Sequence, residues 1–208
     1  MIENKDNKNI HFLWPTVFLE ENIGVKKEYL SYVKKLNYHR LSTDNGWCTK
    51  DYDLLDHKIF KELKNKIILN AKYYLQNIFL QKDYKLKIIS SWCMKHLKND
   101  FAQRHLHQNS YLSGVYYLQT TENSGKITFV RNIRDYPINT TIRPDVKTYN
   151  EINGSTFWVK VNSGQLIIFP SNIEHETEKS KSSTERYCIA FNIMLSGQIS
   201  TEDSKWIL

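Results

Sequence analysis

The sequence predicts a mainly β protein in which a few helices pack outside a β-sandwich or β-roll. Two observations lead to this prediction. Apolar residues at helical spacing occur only before about residue 80, whereas short β-branched and aromatic runs fill the chain from residue 85 onward. Helices first and then about eight short strands suggest helices packed outside an all-β sandwich or roll.

The composition is that of one domain with a sizeable core. The chain has 208 residues, of which 40% are hydrophobic and 13% aromatic, so we expect a single folded domain over 1–208. Its helical support is expected at about 24–80 and its β-roll at about 85–196. The polar N-terminus lacks the apolar centre of a secretory signal, and no apolar run is long enough to span a membrane. We therefore expect a soluble cytoplasmic protein.

The net charge bears on the class of partner, and the cysteine spacing bears on the state of the thiols. The formal net charge is +7, but the lysines are scattered and no phosphate-binding glycine loop is present. Nucleic acid is therefore a less favoured partner than a peptide or a small molecule. The three cysteines, Cys48, Cys93 and Cys188, form no CxxC pair. This spacing favours reduced thiols over a disulfide or a metal site.

Two helices are expected in the N-terminal part. Apolar residues lie on one face of a helix over 26–38 and again, more clearly, over 57–80. Asp56 is placed to cap the second helix. The segment between them, 41–56, is predicted to be a polar loop that turns at Asn45-Gly46.

About eight short strands are expected, most of them in the C-terminal half. Gly, Asn, Ser and Pro separate the runs that predict them. The expected strands lie within 11–23, 86–97, 110–119, 125–130, 155–161, 164–170, the neighbourhood of His175, and 186–195. The long loop 131–154 contains Pro137 and Pro144. We expect it to be a mobile segment or a lid on the substrate side.

Three histidines are candidate metal ligands. The stretch RHLHQNSYLSGVYYL places His105 and His107 two positions apart, just before an apolar run. Side chains i and i+2 of a strand point to the same side, so both imidazoles could bind one metal ion, and imidazole suits iron, zinc, copper and nickel. The third candidate, His175, follows the apolar strand that ends at Pro170. The remaining histidines have no partner at ligand spacing and are expected at the surface or in packing contacts: His11, His39, His57 and His96.

Arg186 opens an apolar strand shortly after His175. An arginine at this position is costly to bury without a partner. A dicarboxylic ligand would supply one through two parallel hydrogen bonds. Alternatively, Arg186 sits at the mouth of the strand and pairs with Glu185 or with solvent. The residues alone leave both possibilities open.

Taken in order, these motifs resemble the 2-oxoglutarate/Fe(II)-dependent oxygenases, and most closely a prolyl-hydroxylase-like branch of bacteria and their phages. The resemblance rests on HxH, SGVYYL, G-x-ITF, GQLIIFPS, EH and R-x-C-x-AFN, and on LWPTVF and NGWCTKDYDLL nearer the N-terminus. It implies a double-stranded β-helix (jelly-roll) core with the N-terminal helices outside. It also implies an enzyme that uses O2 and 2-oxoglutarate to hydroxylate a substrate, with succinate and CO2 as co-products.

The resemblance assigns roles to individual positions. His105 and His175 match the first and the distal histidine that hold Fe(II), and Arg186 matches the arginine that binds the far carboxylate of 2-oxoglutarate. Tyr117 matches the second tyrosine of the YYL strand, which helps to hold that carboxylate. Asn192 shares a strand face with Arg186. It is expected either to border the substrate or cosubstrate, or to be satisfied by the backbone.

The sequence departs from the superfamily at His107, which stands where a carboxylate is usual. As a neutral ligand, His107 would leave the iron more electrophilic and more weakly bound. Alternatively, it swings away and leaves a water in its place. Two other functions stay open: a three-histidine dioxygenase that does not use 2-oxoglutarate, and a non-catalytic jelly-roll binding module. For an oxygenase, the substrate is expected to be a peptide side chain, with peptidyl proline slightly favoured, or a small molecule.

Overall fold

A seven-stranded antiparallel sheet forms the centre of the protein. The computed structural model describes residues 15–42, 44–132, 142 and 144–207. In spatial order the strands are β1 (Leu19–Asn22), β8 (Gln165–Pro170), β5 (Leu112–Gln119), β10 (Arg186–Ser196), β4 (Lys85–His96), β3 (Trp47–Thr49) and β2 (Tyr38–Arg40). Non-consecutive neighbours such as β8, β5 and β10 show that the chain crosses repeatedly between strands, as a jelly roll requires.

A second, three-stranded antiparallel sheet carries the remaining large strands. Its order is β7 (Thr156–Lys160), β6 (Lys126–Val130) and β9 (His175–Thr177). Near the C-terminus, β11 (Gln198–Ile199) and β12 (Trp206–Ile207) form a separate hairpin. Two facing antiparallel sheets with helices outside confirm the predicted mainly β fold with a jelly-roll core.

The helices belong to the N-terminal part of the chain, before β4. They are α1 (Lys27–Val33) and α2 (Lys61–Tyr73), the second preceded by 3-10 turns at Leu54–Asp56 and Lys58–Phe60 and continued by a π-turn at Tyr74–Ile78. Among the described residues, no helix is long and apolar enough to cross a membrane.

Successive side chains of the central strands point to opposite faces of the large sheet and pack in two separate hydrophobic cores. On β5, Tyr116 packs in the core that includes the helices, whereas Val115 and Tyr117 pack in the core between the two sheets. On β10, Ile189 faces the helices and Cys188 faces the other sheet. The inner face of the large sheet therefore carries side chains that point into the roll.

Three local predictions are wrong. The segment 41–56 is more than a polar loop, because it contains β3 and a 3-10 turn. Asp56 does not cap the long helix: α2 begins after Phe60, without a side-chain cap, and Asp56 instead accepts a hydrogen bond from Lys64. The first helix ends at Val33, well before the predicted boundary.

The predicted loop 131–154 lies partly outside the described residues, which omit 133–141 and 143. Its two described ends are tied together. The Arg131 guanidinium donates hydrogen bonds to the backbone carbonyls of Ile152 and Glu151 at 2.6 and 2.7 Å.

Candidate active site

A cavity of about 320 Å³ opens inside the roll. Apolar and sulfur-containing side chains of the inter-sheet core form much of its wall, among them Val115, Ile127 and Phe169. Polar side chains enter it at two places. One group contains the three candidate histidines, and the other surrounds Arg186.

The three histidines converge at one side of this cavity. One nitrogen from each of His105, His107 and His175 lies within 4.8 Å of the others. Burial increases along the set: His105 is exposed, His107 is half-buried and His175 is buried. The cluster therefore has one side open to solvent and one side against the core.

Backbone pairing brings the ligand segments together. His105 and His175 form an isolated antiparallel bridge, with N–H···O distances of 3.0 and 2.9 Å in the two directions. The His107 N–H donates to the Ser171 carbonyl at 3.0 Å. These bonds hold the HxH segment in an extended conformation, outside the strands of the two sheets. A turn at Asn109, with φ of +60°, separates it from β5.

Two backbone carbonyls orient the rings. His105 Nδ1 lies 2.6 Å from the Gln103 carbonyl oxygen, and His175 Nδ1 lies 3.0 Å from that of Ile173. A carbonyl only accepts, so each Nδ1 carries the proton in the neutral ring and Nε2 keeps its lone pair. Such contacts behind a ligating imidazole are typical of metal sites.

The environment keeps the two less exposed rings neutral. Burial, followed by the proximity of His105, lowers the pKa of His107 to about 4 and that of His175 to about 3. Neutral imidazoles present lone pairs to a cation without first losing a proton. The phenyl ring of Phe169, with its centroid 4.7 Å from that of His175, restricts the ring further. The donor set therefore fits an octahedral ion such as Fe(II) with positions left open.

Arg186 lies in the buried part of the cavity and is 1% exposed. Nη1 donates to the Ser124 carbonyl at 2.8 Å and Nη2 to Thr177 Oγ1 at 3.2 Å, whereas Nε has no hydrogen-bond partner in the ranges that the structure describes. The alternative pairing with Glu185 or with solvent is not seen: Arg186 is buried, and among the described residues no ion pair joins it to Glu185, whose carboxylate accepts a hydrogen bond from the Tyr187 hydroxyl. A buried guanidinium with uncompensated charge fits an anionic ligand.

Tyr117 and Asn192 occupy different positions relative to the cavity. Tyr117 lines it, and burial raises the pKa of its phenol, which therefore stays a neutral hydrogen-bonding group. Asn192 is not among the lining residues. Its amide accepts from Ser113 at 2.8 Å and donates to Ser90 at 3.0 Å. Because two side chains hold it within the sheet, the position of Asn192 does not support the predicted contact with a cosubstrate.

Sequence reasoning missed two residues of this site. Thr177, two positions after His175, receives the hydrogen bond from Arg186. The alternation of β9 could have identified it, since residues i and i+2 share a face. His96, expected at the surface or in packing, is 2% exposed and lines the cavity. No local pattern marks it, because its burial depends on the distant Asn45-Gly46 turn.

Comparison with known proteins gives this site a family. Residues 90–192 match the family model described as "Putative 2OG-Fe(II) oxygenase", and this range includes both groups of polar cavity residues. No curated protein sequence matches the chain at a significant level.

Solved structures with the same fold include three enzymes. SnoN, a non-heme alpha-ketoglutarate-dependent epimerase from nogalamycin biosynthesis, has a TM-score of 0.63 at 13% identity, over 89% of this chain and 82% of its own. A Pseudomonas putida prolyl-4-hydroxylase has a TM-score of 0.58 at 14% identity, over 88% and 94%. HygX from Streptomyces hygroscopicus, with nickel, 2-oxoglutarate and hygromycin B bound, has a TM-score of 0.59 at 13% identity, over 86% and 83%.

At these identities the likeness to the solved structures concerns the fold, and the family match adds the class. The chain belongs to the 2-oxoglutarate/Fe(II)-dependent oxygenase superfamily and is an enzyme of the oxygenase type.

Proposed function

We propose that the protein is a 2-oxoglutarate/Fe(II)-dependent dioxygenase that hydroxylates a substrate side chain. In this proposal His105, His107 and His175 hold the Fe(II), and Arg186 with Tyr117 binds the distal carboxylate of 2-oxoglutarate. The observation that carries the proposal is the presence, in one cavity, of a three-histidine cluster and a buried guanidinium that has no anionic partner among the described residues.

The spacing along β9 supports 2-oxoglutarate as the cosubstrate. His175 and Thr177 lie on the same side of the strand, one repeat apart, which is about 6.7 Å. The Arg186 guanidinium is bonded to Thr177 and so lies roughly one strand repeat from the histidine cluster. This separation is comparable to the reach of a five-carbon chain whose keto-acid end binds a metal and whose other carboxylate binds an arginine.

The residues of the chain have distinct tasks in this reaction. When bound, Fe(II) and 2-oxoglutarate supply the oxidation of a C–H bond by O2, in which the substrate gains one oxygen atom and the cosubstrate becomes succinate and CO2. The neutral imidazoles fix the metal position, and Arg186 sets the direction of the cosubstrate. Phe169 and Ile127 form an apolar wall that excludes water from this side of the metal. His107, as a third neutral ligand, contributes no charge to balance that of the ion.

The openness of the metal end supports a peptide side chain, including proline, as the substrate. His105 is exposed, so a residue carried on a larger chain can reach the cluster without entering a closed chamber. The prolyl-4-hydroxylase among the structures of the same fold agrees with this class. SnoN in complex with nogalamycin RO and HygX with hygromycin B bound support small molecules as the competing class.

Anaerobic addition of Fe(II), with and without 2-oxoglutarate, tests the cofactor assignment. A weak visible charge-transfer band is expected only when both are present. His175→Ala should abolish the band. Arg186→Lys should raise the dissociation constant for 2-oxoglutarate about tenfold or more, because lysine keeps the positive charge but lacks the planar guanidinium that pairs with a carboxylate through two hydrogen bonds. Metal binding with no response to 2-oxoglutarate would favour the three-histidine dioxygenase, and loss of both would refute an oxygenase.

A matched control comes from a histidine outside the cavity. His57 lies 2.6 Å from the Asp51 carboxylate and 2.8 Å from the Tyr32 hydroxyl. His57→Ala removes an imidazole that has its own partners, so the band and both dissociation constants should match those of the wild type. A parallel loss in His57→Ala would show that the assay reports general destabilisation.

A further inference from the structure

His96 is a buried histidine whose ring nitrogens have no partner. It is the last residue of β4 and lies directly opposite Arg186 on β10. The residue lines the cavity and is 2% exposed, and within the described part of the chain neither Nδ1 nor Nε2 makes a hydrogen bond. Buried polar atoms are rarely left in this state in a native protein, and each such atom calls for a ligand or a water.

The ring is held neutral. Burial lowers the pKa of His96 well below its usual value, and the positive charges of Arg186 and Arg40 lower it further. The nearby backbone of Phe101 raises the pKa of His96, but its geometry is not that of a hydrogen bond to the ring. A neutral imidazole offers one N–H donor and one acceptor. Adjacent to Arg186, the N–H can therefore contribute to binding an anion.

The Asn45-Gly46 turn holds the ring in place from the other side. Gly46 has a φ of +75°, and a Cβ there would lie 2.7 Å from His96 Cδ2, 2.9 Å from Nε2 and 3.0 Å from the Lys95 carbonyl oxygen. Only glycine permits this close approach in this backbone conformation. Asn45 also lines the cavity, and its buried Oδ1 has no hydrogen-bond partner.

Three residues from separate segments that line this one cavity therefore each have buried polar atoms with no hydrogen-bond partner among the described residues. These atoms are Nε of Arg186, both ring nitrogens of His96 and Oδ1 of Asn45. By contrast, the two Nη atoms of Arg186 have hydrogen-bond acceptors, the Ser124 carbonyl and the Thr177 hydroxyl. Buried polar atoms without partners are costly, so their grouping beside one cavity favours a polar ligand there.

We propose that His96 is a third binding residue for the distal carboxylate of the cosubstrate, donating a hydrogen bond from its ring N–H to the carboxylate that Arg186 pairs with. This inference rests on the proposed function and deepens it. It assigns a role to the NGW segment of the sequence, whose glycine sets the position of the imidazole. The site then selects a five-carbon dicarboxylic keto acid over a keto acid that ends in a methyl group.

The test is a titration of 2-oxoglutarate into the anaerobic Fe(II)-loaded protein, followed by the charge-transfer band. His96→Phe keeps the planar ring and removes both nitrogens. It should raise the dissociation constant for 2-oxoglutarate about tenfold, the effect of one hydrogen bond to a charged group, and leave that for Fe(II) unchanged. His96→Asn and His96→Gln retain an N–H near one ring nitrogen each, and at least one should recover part of the affinity.

A second ligand separates binding from packing. 2-Oxovalerate has the same keto-acid end and no distal carboxylate, so its weaker binding should be the same in wild type and His96→Phe. If His96→Phe weakens both keto acids equally, or weakens neither, the role assigned to His96 is refuted. His96→Leu serves the same comparison if His96→Phe does not fold.

The two proposals fail in distinguishable ways. If Arg186→Lys weakens 2-oxoglutarate binding and no folded His96 variant does, the proposed function stands and the role of His96 is refuted. If the Fe(II)-loaded wild type gives no response to 2-oxoglutarate, both are refuted.

Discussion

Thr177 connects the two halves of the active site, and its hydroxyl can be removed with little change of shape. Oγ1 accepts a hydrogen bond from the Ala102 N–H at 2.8 Å and another from Arg186 Nη2 at 3.2 Å. Ala102 leads into the HxH segment, and Thr177 follows His175 by two residues. Thr177→Val replaces the hydroxyl by a methyl group and leaves both donors without this acceptor.

The expected cost follows from these two bonds. A neutral backbone hydrogen bond contributes about 1 kcal/mol and a bond to a charged group about 1.5 kcal/mol at the lower end of its range. The long contact to Arg186 and the half-buried position of Thr177 justify that lower value. The sum, about 2.5 kcal/mol, corresponds to a fall in Tm of about 5–10 °C for a domain of this size.

Thermal unfolding of the metal-free protein measures this effect, with Thr177→Ser as the matched control. The serine keeps the hydroxyl and should lose much less stability than the valine. The valine variant should also bind 2-oxoglutarate several-fold more weakly, because Arg186 loses the bond that fixes its direction. If Thr177→Val is as stable as Thr177→Ser, the two hydrogen bonds contribute nothing and the reasoning is wrong.

Three further outcomes are expected. Gly46→Ala should lower Tm more than Gly24→Ala. Both glycines have φ near +75°, but an added Cβ would clash with the His96 ring at position 46, whereas it would have no atom within 4 Å at position 24. Equal losses of Tm would show that no clash exists. The metal-free protein should lose about 2 kcal/mol of unfolding free energy per pH unit as pH falls from about 6.5 towards 4, because the fold holds His107 and His175 neutral while the unfolded chain takes up protons. Denaturant titrations at several pH values measure this slope, and a flat profile would contradict it. The three cysteines are all buried, and burial raises the pKa of Cys188 to about 11. A thiol reagent should therefore label none of them in the native protein and all three in denaturant. Rapid labelling of the native protein would contradict their burial.

The strands of the roll could be predicted because their sequence pattern is local. Runs such as LSGVYYLQ and QLIIFP are long enough to show β-branched and aromatic enrichment, and their strands, β5 and β8, fall within the predicted ranges. By contrast, β3 has three residues and lies in a segment rich in polar groups. Its pairing with Met94 and Lys95 of β4 is a tertiary contact that no local pattern indicates.

The candidate site could be predicted only where residue type alone suggests chemistry. Two histidines at i and i+2 and an arginine in an apolar strand stand out, and the fold brings these three into one cavity. His96 does not stand out, because a single histidine at a strand end is usually a surface residue. Asp56 shows the opposite error: a good capping residue was present, but the chain made 3-10 turns before the helix began.

The mutual backbone bridge between His105 and His175 has a consequence for biosynthesis. In the sequence, His105 precedes β5 and His175 follows β8, and Arg186 comes later still, at the start of β10. A nascent chain therefore cannot assemble the cluster until most of the roll has emerged from the ribosome and paired. Because non-local contacts form late, a partly made chain would lack the complete three-histidine cluster.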